Sequence, residues 1–193
     1  MTAFAYYRLP YLHHAHYVAQ REGEPEVLSS VAELNGKEGF VIAPFSPSSD
    51  CPVLLIHPDE SKLLPISDAK AISTSDSTLG EDASDRDAYA GAFECFHQEL
   101  EKGTFRKIVL ARKATVRTAD KDFENLFIKA CRMYPRLFVS LVYTPQSGMW
   151  LMATPEILLK GEQGNMSTMS LAGTQKAEPS RTVADYPVEG VEW

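Results

Sequence analysis

Three short segments carry residue types able to do chemistry: Phe105–Arg112 (FRKIVLAR) with Lys107, Ala153–Leu159 (ATPEILL) with Glu156, and Ser170–Thr174 (SLAGT) with Ala172, Gly173 and Thr174. The first has the apolar, partly β-branched content of a buried strand. Strand alternation puts Lys107, Val109 and Ala111 on one side and Ile108, Leu110 and Arg112 on the other. A lysine at the mouth of such a run either snorkels to water as a solvated charge or is partly buried. Partial burial penalises the ammonium and draws the amine towards use as a base. Glu156, after Thr154–Pro155, reads by itself as an exposed carboxylate at a strand kink, since glutamate is seldom buried. Gly173 lets backbone N–H groups approach an anion and Thr174 adds a hydroxyl donor, although the same pair also makes an ordinary turn.

The elements that must hold these groups follow from the chain pattern. Ser84 can cap a helix whose residues Tyr89, Phe93, Phe96 and Leu100 recur at helical spacing as a core stripe, with Gly103 as its stop. His97 beside the stripe reads as a surface or satisfied imidazole. Asp122 can cap a second helix with Phe123, Leu126, Phe127 and Ala130 inward, ended by Pro135. Strands are expected at 138–143 and 149–154, joined by TPQSG, and at 157–160 and 166–171 around 161–165. Upstream, 4–9 and 52–57 read as strands. Asn35–Gly36 is expected to turn a hairpin between 27–34 and 39–44. The fold class is α+β: an antiparallel β-sheet with helices packed on one face. Three parts are expected: a strand-rich part at 1–66, a Ser/Thr/Asp-rich loop at 67–83, and a catalytic portion at 84–193.

Bulk properties bound the partners. The 193 residues are 44% hydrophobic and 23% charged, enough for one good core or two small ones. A net charge of −7 argues against nucleic acid and anionic membrane as partners, which want a basic face. No stretch approaches ~20 uninterrupted apolar residues. Three cysteines without a CxxC spacing fit reduced thiols, and with no secretory leader the expectation is cytoplasmic. His13, His14 and His16 invite a metal reading, but no acidic or cysteine partner stands at ligand spacing, so surface or interface imidazoles are expected.

In this order and at these intervals, KIVLAR, ATPEILL and SLAGT resemble the chorismate-utilising enzymes: isochorismate, salicylate, anthranilate and aminodeoxychorismate synthases. The likeness spans Lys107 to Thr174 and implies half of that family's fold. It also implies the roles. In the isochorismate-type reaction water attacks C2 of chorismate, the double bond shifts and the C4 hydroxyl leaves, which calls for a base and an acid. The resemblance makes Lys107 the general base and Glu156 the general acid, and sets Ala172, Gly173 and Thr174 against a substrate carboxylate. It asks Lys107 to be neutral and Glu156 to be protonated, and burial in an apolar site moves both that way.

Residue types select within the family. Anthranilate synthases carry glutamine where Lys107 stands, and aminodeoxychorismate synthases typically carry a lysine nucleophile where Ala172 stands. Lys107 and Ala172 thus resemble an isochorismate or salicylate synthase, and the overall similarity of the KIVLAR region makes isochorismate synthase of the menaquinone type the leading expectation, with salicylate synthase, an anthranilate synthase-like enzyme or a non-catalytic module as alternatives. Family members run to roughly twice this length, more than one typical domain. The expectation is thus an N-terminal half, inactive alone and inclined to self-associate through an exposed apolar face or sheet edge. Its Mg²⁺ ligands are expected beyond residue 193, with none inside the chain.

Overall fold

A computed structural model describes residues 2–66, 83–111, 122–162 and 164–169. In chain order its elements are β1 (Ala3–Arg8), β2 (His14–Gln20), β3 (Glu26–Leu28), a 3-10 turn (Val31–Leu34), β4 (Phe40–Ile42), β5 (Val53–Ile56), β6 (Glu60–Pro65), α1 (Ala83–Glu101), α2 (Phe123–Met133), β7 (Phe138–Thr144), β8 (Gly148–Thr154), β9 (Lys160–Glu162) and β10 (Asn165–Ser167). All strand pairing is antiparallel, so the architecture is α+β. The chain divides into two compact units, Met1–Gly80 with Thr115–Glu156, and Glu81–Ala114 with Ile157–Trp193.

The first unit is built on a five-stranded sheet in the order β6-β2-β1-β7-β8 and a three-stranded sheet in the order β3-β5-β4. The register of the large sheet sorts its side chains by face. Ala5 stands opposite Val18 on one side and Val142 on the other. These residues pack with Ala3 and Ile56, and with Tyr7, Phe40 and Ile42 at the margin, to form the layer between the sheets. The opposite face buries Ala15, Val139 and Leu141 against Phe127 and Cys131 of α2. α2 forms because Asp122 accepts from the Asn125 N–H at 3.0 Å, filling one orphan donor of the first turn. Phe127 and Cys131 lie four apart and so share the inward stripe, while Phe123, expected inward, is exposed.

One expectation about this unit fails for a local reason. Segments 27–34 and 39–44 do not pair as a hairpin; β3 and β4 flank β5 instead. The Glu33 carboxylate accepts from the Ser29 and Ser30 N–H groups, a capping arrangement that curls 31–34 into a 3-10 turn rather than a strand. Gly39 then lets the chain lie on β5, since a Cβ there would collide with the Ile56 carbonyl oxygen. The histidine-bearing stretch contributes β2 to the large sheet. β2 is an interior strand, and the His16 ring stacks on Tyr7 with centroids 4.8 Å apart.

In the second unit, α1 ends at a left-handed Gly103 (φ 71°). The Thr104 N–H reaches the Glu99 carbonyl at 3.1 Å and the Gly103 N–H reaches that of Leu100 at 3.0 Å, the paired bonds of a Schellman ending. The expected core stripe is not buried: Tyr89, Phe93 and Leu100 are exposed. Segment 105–111, expected as a strand, is not one, because no described strand pairs with it; 112–121 lies outside the described residues. β9 and β10 form a short hairpin, reached through Leu158 and Ile157, whose carbonyls accept from the Thr168 hydroxyl at 2.7 Å and the Met169 N–H at 2.9 Å.

Arg8 closes the first unit. It is 1% exposed, and its guanidinium donates to the carbonyls of Pro135 (2.5 Å), Tyr134 (2.6 Å) and Leu137 (2.9 Å). Replacing Arg8→Met is expected to lower unfolding free energy by about 3 kcal/mol or more, since the carbonyls lose charged donors. Urea melts with an unchanged midpoint would contradict this. Tyr6 gives a second check. Burial, and then the Glu124 carboxylate that its hydroxyl meets at 3.4 Å, push its pKa up to about 12. The unfolded chain releases that proton near pH 10, so this contribution is whole below pH 10 and fades as pH rises towards 12. Tyr6→Phe should flatten the loss of stability across that window; an identical alkaline slope in both proteins would rule the coupling out.

Candidate functional site

Lys107 belongs to the segment that leaves α1 after Gly103. Burial alternates along it: Ile108 and Leu110 are half-buried, whereas Lys107, Val109 and Ala111 are exposed. The two-residue period expected for a strand is therefore present in the side chains without the ladder, and it places Lys107 on the outer side. Glu156 stands two residues beyond the end of β8, and its N–H meets the Thr154 hydroxyl at 3.4 Å. Thr154 thus turns the chain out of the sheet at Pro155, which has no N–H to continue a ladder. Glu156 is the last residue of the first unit and Lys107 lies in the second. Both side chains are exposed, so the apolar surround expected for them is not built by the described residues. Ala172, Gly173 and Thr174 lie outside the described residues.

Electrostatics elsewhere in the first unit point to structure rather than catalysis. Hydrogen bonds from Lys37 and then His57 hold the Glu26 carboxyl below the usual carboxylate range. Lys62 and then Arg21 do the same for Glu60. All of this is at the surface, where ion pairs contribute little. The Cys131 thiol is pushed up by burial, against a smaller opposing pull from Arg8, which makes it a poor nucleophile. No group of three His, Cys, Asp or Glu among the described residues could hold a metal ion, the three N-terminal histidines included. The residues described here therefore do not fit a Mg²⁺ site.

Sequence reasoning passed over Arg8 and Gln20, two buried polar side chains that set the local frame. Gln20 donates to the carbonyls of Glu22 (3.1 Å) and Glu24 (3.0 Å), and its amide oxygen accepts from the His57 N–H at 3.1 Å. Each sits at the end of a strand whose burial does not alternate strictly, so no local pattern marks it as interior.

No helix among the described residues is long and apolar enough to cross a membrane. No curated protein and no solved structure matches the chain. The family model described as "chorismate binding enzyme" matches residues 54–185. That span takes in β5 through β10 and contains Lys107, Glu156, Ala172, Gly173 and Thr174. It covers well over half of the 193 residues, and the chain belongs to the chorismate-binding enzyme family.

Proposed function

We propose that this chain supplies the base and acid of an isochorismate synthase, an isomerase that moves the hydroxyl of chorismate from C4 to C2. The observation that supports this most is that one family match takes in Lys107, Glu156 and the 172–174 segment together. The choice within the family rests on residue type: Lys107 rather than glutamine, to activate water, and Ala172 rather than a lysine nucleophile.

The proposed steps balance. A neutral Lys107 amine takes a proton from water as its oxygen bonds to C2. The ring double bond shifts, the C4–O bond breaks, and the departing hydroxyl takes the proton of Glu156 and leaves as water. Lysine ends as ammonium and glutamate as carboxylate, and solvent exchange resets both. The reading requires substrate binding to exclude water around both groups. Gly173 N–H and the Thr174 hydroxyl are assigned to a substrate carboxylate. Mg²⁺, which would offset the substrate's carboxylates, is assigned ligands outside the described residues, and no step here passes through it. A menaquinone pathway and a cytoplasmic setting belong to the same proposal; three free cysteines suit a reducing compartment.

The test is chorismate turnover, with products separated by chromatography, in a polypeptide that also carries the assigned metal ligands. Isochorismate is the expected product. Lys107→Ala and Glu156→Gln should each lower kcat by about 10²–10⁴-fold while leaving the far-ultraviolet circular dichroism unchanged. Undiminished turnover by Lys107→Ala would remove the base. Salicylate with pyruvate, or anthranilate formed from ammonia, would keep the family and replace the reaction.

A further inference from the structure

The acid assigned above is delivered by a short piece of chain. β8 ends at Thr154, held against β7 by the Phe138↔Thr154 pairing. Pro155 follows. Its ring keeps Thr154 extended, and it brings no N–H of its own. The first donor past the strand is the Glu156 N–H, and the Thr154 hydroxyl accepts it at 3.4 Å. A side-chain oxygen bonded to the N–H two residues on is a Ser/Thr turn. The chain places threonine before proline at one other strand end. Thr144 closes β7, Pro145 follows, and the Thr144 hydroxyl accepts from the Ser147 N–H at 2.9 Å. There the bond shapes the turn into β8. At Thr154 the residue whose direction the bond sets is Glu156.

We infer that Thr154 is a positioning residue for Glu156, its hydroxyl fixing the direction in which the carboxyl leaves the end of β8. The inference rests on the reading of Glu156 as general acid. A general acid has to stand within hydrogen-bond reach of the oxygen it protonates. A glutamate carboxyl lies several torsions from its Cα, so a swing of the backbone is enlarged at the carboxyl. Three features limit that swing. Thr154 is fastened to the β7 ladder. Threonine is β-branched, so its hydroxyl is stiff about χ1. The bond from the Glu156 N–H spans Pro155, whose φ is fixed by its ring. Little freedom is left between the sheet and the Cα of Glu156. Thr154 touches no reacting atom in this scheme. It holds the acid near its working geometry, an effect felt when the proton moves rather than when chorismate binds.

The polypeptide and assay are those of the turnover test above. Thr154→Val keeps the shape of the side chain and removes the acceptor. It should lower kcat about five- to tenfold, the factor that one ordinary hydrogen bond controls, with KM for chorismate and the far-ultraviolet circular dichroism unchanged. Thr154→Ser, which keeps a hydroxyl, should recover most of the loss. A double-mutant cycle then separates positioning from a merely structural role. In a Glu156→Gln background Thr154→Val should bring no further loss of kcat, because Thr154 acts through the acid. Thr154→Ala, read in the same cycle, carries the test should the valine variant lose its fold. An equal loss in both backgrounds overturns the inference and leaves the acid assignment standing. So does a kcat for Thr154→Val equal to that of the parent, or a Thr154→Ser variant as slow as Thr154→Val. Turnover undiminished by Glu156→Gln overturns the acid assignment itself, and this inference with it.

Discussion

A guanidinium that meets no carboxylate among the described residues holds the first unit together. Arg8 is the last residue of the central strand β1, and the alternation of that strand points it to the α2 side. There it meets the chain that leaves α2, where the last carbonyls of the helix and the turn after it have no intrahelical donors. Three of those carbonyls share one cation. The Pro135 carbonyl also accepts from the Tyr11 N–H at 2.9 Å, so the loop between β1 and β2 is fastened to the same point. A cation at a helix C-terminus also complements the helix dipole. Burying a charge is costly, and the fork of donors on arginine is the side chain best able to offset that cost with several bonds at once.

From that point the packing follows. With the C-terminal end of α2 fixed to β1, Phe127 lies across Tyr6, their ring centroids 5.7 Å apart, and Cys131 lies over the sheet. The other face of the same strand offers only Ala3 and Ala5 before Tyr7. Those small residues let the three-stranded sheet approach until Ile56 and Val142 share one core. Both layers cover β1, β2 and β7. Neither extends over β8, whose residues from Met149 to Thr154 are all exposed. Among the described residues, the exposure of β8 follows from where the two covering layers stop.

How far this could be foreseen depended on whether the cause was local. The β7–β8 hairpin, the strand at 53–56, the Asp122 cap and the Gly103 stop each rest on a few adjacent residues, and they were legible. The failures share another cause. Asn35–Gly36 has the composition of a hairpin turn, but Glu33 reaching back to Ser29 and Ser30 took its first arm out of the strand. The KIVLAR run has the alternation of a strand, and its burial still alternates, but a strand exists only with a partner to bond to. The three histidines at 13, 14 and 16 were read for their imidazoles, and the strand β2 that carries two of them was not foreseen. Its alanines and valine, Ala15, Val18 and Ala19, carry the buried positions. Arg8 was invisible for a related reason: nothing in AFAYYR says which carbonyls, more than a hundred residues away, will need its donors.

The candidate catalytic pair shows the same limit in chemical form. A base that must be neutral and an acid that must be protonated cannot be made by spacing along a chain; they need surroundings that disfavour charge. Strand alternation can set the side on which Lys107 emerges, and Pro155 can set where the chain leaves β8 to present Glu156. Neither local cue supplies the dry environment. Chorismate itself could supply part of it, because an apolar ring lying over either group displaces the water that now hydrates it. Its two carboxylates pull the other way on lysine, since a nearby anion favours the ammonium. The proposed base therefore works only if those carboxylates are neutralised by other groups before the amine is asked to give up its proton. Under the proposed assignment, that ordering would make the groups that neutralise the substrate's carboxylates as necessary to Lys107 as a dry environment. Anion binding and base activation become one problem rather than two.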